Sequence, residues 1–275
     1  MSPRVPCLVS IAASAVLGAC APEPASSVEV GRTLVEVVDL ARAMALEHAI
    51  VDLTTHVEPT ASPSQMAAAV RADAAARVPC ADMTEVGATG VRVDFGPGGC
   101  TLGGRGYVGA VEVEFSEPGV DVRLATITYD DLASAGVTLA GTTQSTWGTS
   151  DTRRLISELR LAASDDRQLE IQSDRMVRTY RGALQIDGWH RWQTLMGRWE
   201  MELAGWELVR GEPVPGRGLA RVSTPFEHEV VLDFVGAGAQ DPGGMDGMLV
   251  RANGGRRDRV FSVAVDGTVV DLGDD

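Results

Sequence analysis

Few residues in this chain could carry chemistry. Its four histidines stand at positions 48, 56, 190 and 228, and its four cysteines at 7, 20, 80 and 100. His48 lies on an apolar helical stripe one turn before Asp52. That spacing lets a carboxylate orient an imidazole for acid–base work, and equally lets a buried histidine find a partner. His190 precedes Arg191, and His228 lies between Glu227 and Glu229. Strand alternation would send His228 to the face opposite both glutamates, which argues against a local metal site. The run Asp241-Pro242-Gly243-Gly244-Met245-Asp246-Gly247 offers oxygen ligands without the alternating acidic positions of a calcium loop. Asp130-Asp131 and Asp274-Asp275 read as solvated turn or terminal residues. No nucleophile elbow, zinc-protease, CxxC, phosphate-loop or dinucleotide motif is present. No catalytic residue, metal or cofactor is therefore assigned.

Aromatic residues are concentrated in one place. Trp189, Trp192, Trp199 and Trp206 fall close together in a chain with five tryptophans. Exposed on a β-protein, they would stack on sugar faces or line a pocket for an apolar ligand. Placed on inward strand positions, as the company of Trp199 with Met201 and Leu203 suggests, they would fill the core. Both readings stand at this level.

The amino terminus carries an address. Arg4 precedes an apolar run from Leu8 to Gly18, broken only by Ser10 and Ser14. Eleven residues make about 16 Å of helix, against a bilayer core of roughly 30 Å. A positive start, a short apolar stretch and small residues at its end describe an export signal over residues 1–19. The run closes on Leu17-Gly18-Ala19-Cys20, which resembles the lipobox of bacterial lipoproteins. That resemblance implies cleavage before Cys20 and acylation of its thiol, so that lipid on Cys20 ties the protein to a membrane. Ala21 in place of aspartate is similar to lipoproteins sorted to the outer membrane, which implies an envelope location at that membrane. With Cys7 removed and Cys20 acylated, Cys80 and Cys100 remain for a disulfide in an oxidising compartment. Closing a loop of ~21 residues contributes roughly 3 kcal/mol through the unfolded state.

Composition narrows the partners. Arginine supplies all 24 basic residues against 38 acidic ones, for a net charge of −14. An acidic surface argues against coating nucleic acid or binding anionic lipid by charge alone. Without lysine, Schiff-base, phosphate-loop-lysine and Ser–Lys chemistries have no residue to work with. Arg153-Arg154 and the Arg256-Arg257-Asp258-Arg259 run are interleaved with acids and read as solvated ion-paired faces.

Periodicity sets the organisation: a tether over 20–32, a helical segment over 33–78 and a β-rich domain over 79–275. Leu34, Val37, Val38, Ala41, Met44, Ala45 and His48 repeat at helical spacing, and Thr33 with Glu36 reads as a capping box that starts the helix. A second helix is signalled by Ser62 as N-cap, Pro63 at the first position and Gln65 closing the box, ending before Val78-Pro79. From Cys80 onward the period becomes two. Val91, Val93 and Phe95 alternate with charges, as do Tyr107, Val111, Val113 and Phe115; then Val120, Val122 and Leu124; and then Leu155, Leu159 and Leu161. Alternation of this kind marks antiparallel sheet with one buried face. Gly96-Pro97-Gly98-Gly99, Asp187-Gly188, Asp246-Gly247, Asn253-Gly254 and Asp266-Gly267 are the expected turns. The predicted fold is mainly β, ten or more antiparallel strands in a sandwich or strongly curved sheet, with one or two N-terminal helices.

The stretch Val91-Arg92-Val93-Asp94-Phe95-Gly96, Cys100 and Gly106-Tyr107-Val108-Gly109-Ala110-Val111-Glu112-Val113 is similar to uncharacterised bacterial lipoproteins of the myxobacterial type. It covers about residues 80–145 and brings no activity with it. Three functional readings follow. The first is a non-catalytic, lipid-anchored envelope protein with a binding or structural role. The second is a carrier or sensor holding an apolar ligand under a curved sheet. The third is a carbohydrate-binding or carbohydrate-hydrolysing protein that combines tryptophan stacking with paired carboxylates.

Overall fold

A computed structural model describes residues 24–119, 121–163, 167–180, 183–209, 216–235, 247–254, 257–264 and 268–274. The export signal, Cys20, the Asp241–Asp246 run, the Asp266-Gly267 turn and Asp275 lie outside the described residues. Two helices come first, α1 (Ser27–Thr55) and α2 (Pro63–Arg77). The strands follow: β1 (Asp82–Val86), β2 (Gly90–Leu102), β3 (Arg105–Gly119), β4 (Val122–Ser134), β5 (Val137–Trp147), β6 (Thr152–Ala163) and β7 (Gln168–Tyr180). Then come β8 (Ala183–Thr194), β9 (Gly197–Val209), β10 (Arg217–Ser223), β11 (Glu229–Val235), β12 (Gly247–Asn253), β13 (Arg259–Ala264) and β14 (Val269–Asp274).

All fourteen strands form one antiparallel sheet in the order of the chain, each paired only with its sequence neighbours. The sheet curves and stays open, with β1 and β14 as its two edges. A meander of this kind needs only short hairpin connections, so local turn chemistry can direct each pairing. The edges are managed by brevity and acidity. β1 has 5 residues with Asp82 and Glu85, and β14 has 6 with Asp271 and Asp274, both unattractive templates for a foreign strand.

Among the described residues every strand belongs to this one sheet, so no second sheet faces it. Its inner face is covered by α1, which touches β4, β5, β11 and β14 and is buried on nearly every side. α2 closes the end under β1, β2 and β3 through Met66, Ala67, Val70 and Ala74. The fold is thus the curved-sheet form of the expectation, wrapped on a helix.

Helix boundaries follow from capping. α2 begins as its sequence predicts: the Ser62 hydroxyl accepts from the Gln65 N–H, the Gln65 side chain accepts from the Ser62 N–H, and the helix stops before Val78. α1 does not. It begins at Ser27, capped by the Ser26 side chain on the Glu29 N–H, so half of the expected tether is helical. Thr33 sits inside the helix and its hydroxyl donates to the Glu29 carbonyl. A threonine and glutamate three apart make a capping box only where the chain before them is not already helical.

Two expected turns are bulges instead. Gly96 to Gly99 lies within β2, where the register with β3 shifts, and Asp187-Gly188 lies within β8 at a shift against β9. Gly188 has φ +143°, and a Cβ there would sit 2.3 Å from the Asp174 carbonyl oxygen. Only glycine permits that approach. In β4 the inward set is Ala125, Ile127, Tyr129 and Leu132, one residue out of phase with the expected Val122 and Leu124. A register shift between Ser116 and Gly119 at the β3–β4 turn resets the phase.

Cys80 and Cys100 are disulfide-bonded with Cα atoms 5.7 Å apart, tying the entry to β1 to the end of β2. Replacing both by serine should lower the urea unfolding free energy by about 3 kcal/mol with little change in far-UV dichroism. Ser62→Ala should cost about 1 kcal/mol in the same assay, through the lost cap.

Candidate functional site

The inward row of the sheet is mostly apolar, and a group of polar residues meets near its centre. Thr143 on β5 faces Ser157 on β6, Ser157 faces Ser173 on β7, and Ser173 faces His190 on β8. Two residues along β7, Arg175 is opposite Gly188, the bulge glycine. All five polar residues are buried. From the helix side, Glu47 and His48 of α1 enter the same space.

Glu47 and Arg175 form the centre. The Arg175 Nη2 lies 2.8 Å from Glu47 Oε1 and 2.7 Å from Oε2, with side-chain exposures of 0% and 2% for arginine and glutamate. Thr143 and Ser157 hydroxyls each donate to Glu47 Oε1 at 2.6 Å, and Arg175 Nη2 also donates to Ser157 at 2.8 Å. Burial by itself would raise the Glu47 pKa, but Arg175, with help from His48 and the two hydroxyls, brings it down to about 2. His48 is depressed to about 4, by burial first and by the Arg175 charge second. His190 lies well below its ordinary value for the same two reasons, and burial lifts Tyr129 well above its own.

This arrangement is a clamp and a poor catalyst. Glu47 is ionised and committed to three donors, so it has no proton to give and little basicity to offer. Ser157 gives its proton to that weak base, and no serine–histidine hydrogen bond occurs among the described residues. Around the clamp, His48 Nε2, both His190 nitrogens, Arg175 Nε and Nη1 and the Ser145 and Ser173 hydroxyls have no hydrogen-bond partner among the described residues. Asp52, the expected partner of His48, receives Arg77 of α2 at 3.3 Å and acts on His48 as a lesser charge.

His228 is not on a strand. It precedes β11, and its Nδ1 reaches Glu29 Oε2 of α1 at 2.7 Å, while Thr224 donates to Glu29 Oε1 at 2.7 Å. Its expected alternation against Glu227 and Glu229 fails because the chain is still turning there, with Glu227 at φ +64°. Among the described residues no group of three or more histidine, cysteine, aspartate or glutamate side chains is placed to hold a metal.

The four tryptophans do not make one surface. Trp192, Trp199 and Trp206 are at most 1% exposed, with Trp192 and Trp199 stacked at 5.7 Å and Trp206 edge-on to Phe234 at 5.3 Å. Odd and even positions of β8 face opposite ways, so Trp189 alone lies on the outer face, half-buried with the Arg191 guanidinium 4.6 Å over its ring. Trp192, Trp199 and Trp206 are therefore core residues and cannot share a surface with Trp189.

Among the described residues, two concavities are lined by charged side chains. On the outer face a groove of about 510 Å³ is lined by Glu158, Glu170, Arg160, Arg191 and Arg198. It holds two carboxylates, but Trp192 borders it from the buried side and offers no sugar-stacking face. At the strand ends a larger groove of about 830 Å³ lies between α1 and the β8–β9 hairpin, lined by Glu36, Arg167, Leu161, Leu169, Leu195 and Met196. Arg167 bonds Glu36 at 3.0 Å and also reaches Asp39, tying the groove floor to the helix.

Sequence alternation carried a sign of the interior site. Ser157 interrupts Leu155 and Leu159, and Ser173 and Arg175 interrupt Ile171 and Val177, on positions that should be apolar. Their partner Glu47 gave no such sign, since α1 is buried on nearly every side and no polar stripe marks where an inward acid would stand out.

Arg175→Met should destabilise the fold by about 3–5 kcal/mol by leaving Glu47 buried without its countercharge, and adding Glu47→Gln should restore most of the loss. Acid should act through the same residues. The unfolded chain protonates His48 near 6.5 and Glu47 near 4.5, the fold only near 4 and 2. In both windows the unfolded chain holds more protons, so stability should fall steadily as pH drops from 6.5 toward 2. His48→Gln should flatten the upper part of that slope in urea titrations. In acrylamide quenching, Trp189→Phe should remove nearly all of the readily quenched tryptophan emission.

No family model, no curated protein and no solved structure matches this chain. Its function has to be read from its own residues.

Proposed function

We propose that this chain is an exported envelope protein, held to a membrane by lipid on Cys20, whose β-body has a non-catalytic binding or structural role. The observation that carries it is Leu17-Gly18-Ala19-Cys20 placed directly after an apolar run too short to span a bilayer. The Cys80–Cys100 disulfide accords with an oxidising compartment. Several acyl chains on one cysteine anchor firmly, at about 0.8 kcal/mol per buried methylene.

The interior favours a binding or structural role over catalysis. Its polar centre is occupied by an ion pair of α1 and the sheet, and Glu47 has too little basicity to move protons near neutral pH. It also favours this reading over a carrier, because α1 fills the space under the sheet that a carried apolar ligand would need. Contacts with partners then fall to the outer face and the strand ends. Outer-membrane sorting through Ala21 is part of the same proposal.

Metabolic labelling with a palmitate analogue in a bacterial host that processes lipoproteins should label the protein, and Cys20→Ala should abolish the label. An unlabelled parent chain, still beginning at Met1 by intact mass, would overturn the anchor.

A further inference from the structure

One end of this sheet brings several hairpin turns together with the start of α1. A sequential meander alternates its turns, so the β8–β9, β10–β11 and β12–β13 turns share one end with the start of α1. The contacts show them adjoining. Gly197, at the β8–β9 turn, has no room for a Cβ, which would lie 2.8 Å from Pro225 Cβ in the β10–β11 turn. Thr224 and His228 of that turn bond Glu29 in the first turn of α1. The Ala25 N–H donates to the carbonyl of Gly254, at the β12–β13 turn.

Among the described residues, six of the exposed large hydrophobics are spread along strands, and those outside strands are all at this end. The latter are Val28 at 72%, Leu195 at 108%, Met196 at 37% and Phe226 at 45%. Val28 belongs to the first turn of α1, and the others sit on the two neighbouring hairpin tips. Turn tips ordinarily carry polar residues. Nothing in the packing of the domain requires Leu195 to be leucine, since it is fully in solvent.

Cys20 is five residues before Ala25, a reach of at most about 18 Å when extended. Adjacent hairpin tips stand two strand spacings apart, about 10 Å. An acylated Cys20 would hold this end within side-chain or near side-chain reach of the lipid, and hold the opposite end a full strand length away.

We infer that the end of the sheet bearing Val28, Leu195, Met196 and Phe226 is a bilayer-contacting face that fixes how the domain stands on its membrane. The inference rests on acylation of Cys20. The lipid chains supply attachment, and these side chains supply orientation by entering the headgroup region. The net charge of −14 makes a neutral lipid surface the suitable one.

The test uses the full acylated protein, reconstituted in vesicles of phosphatidylcholine and phosphatidylethanolamine. An environment-sensitive fluorophore is placed on Leu195→Cys, on Phe226→Cys and, at the opposite end, on Ser150→Cys. The probes at 195 and 226 should shift to the blue and be quenched by a lipid-borne nitroxide, while the probe at 150 does neither. All three sites are in exposed turns, so an unchanged melting temperature confirms the fold. If the protein is acylated and sediments with vesicles but the probes at 195 and 226 stay as wet as that at 150, the contact face is wrong and the anchor stands. If the protein is neither acylated nor vesicle-bound, the anchor fails and the contact face with it. If unacylated protein still shows shift and quenching at 195 and 226, the contact face holds without the anchor.

Discussion

A carboxylate cannot be buried without a partner, and α1 buries four of them. Glu29, Glu36, Asp39 and Glu47 are each no more than 8% exposed, spread along the helix from its first turn to near its end. Each is met by a residue of the sheet or its turns. Glu29 takes Thr224 and His228, Glu36 and Asp39 take Arg167, and Glu47 takes Arg175, Thr143 and Ser157. Sliding the helix by one turn would leave several of these charges unpaired in an apolar interior, at a cost of several kcal/mol each. Apolar contacts alone would tolerate such a slip far better, because they carry no direction. The acids set the helix register and the aliphatic residues supply the bulk of the burial.

The same division explains the mixture of tight and loose polar groups in the interior. The Glu47 clamp is densely bonded, whereas beside it His48 Nε2 and both nitrogens of His190 have no hydrogen-bond partner among the described residues, and both rings stay neutral. A neutral imidazole is cheaper to bury than a charged one, and the adjacent Arg175 guanidinium opposes a second positive charge. The Glu47 centre is therefore one anion and one cation in contact, flanked by neutral imidazoles. That is the condition of a structural centre, and a site that turns over substrate would need a group poised to change its charge.

With the interior filled, the domain presents its outer face and its strand ends to solvent. At one end the helix enters, three hairpin tips converge and apolar side chains stand in solvent; at the other, the chain returns from α1, where Thr55 is held by Arg153. The outer face between them is laddered with ion pairs such as Arg154–Asp174, Arg191–Glu200 and Arg221–Glu229. Exposed pairs of this kind add little stability, and their main effect is a surface that stays hydrated and resists sheet-to-sheet association.

Local signals in the sequence settled what depends on neighbours along the chain. The α2 cap, the change of period after Cys80, the inward residues of β2, β3, β6 and β9 and the pairing of Cys80 with Cys100 could all be read there, because each follows from a few adjacent positions or from counting. The Gly96 and Gly188 bulges read as turns, because glycine permits both and only the partner strand distinguishes them. Tertiary structure alone decided that the described strands form one sheet closing on a helix, that three of the tryptophans face inward, and that Glu47 meets Arg175. Those two residues are separated by 128 positions. Neither has a local pattern that names the other, and their pairing is forced only when the curvature of the sheet brings both into the same water-free space.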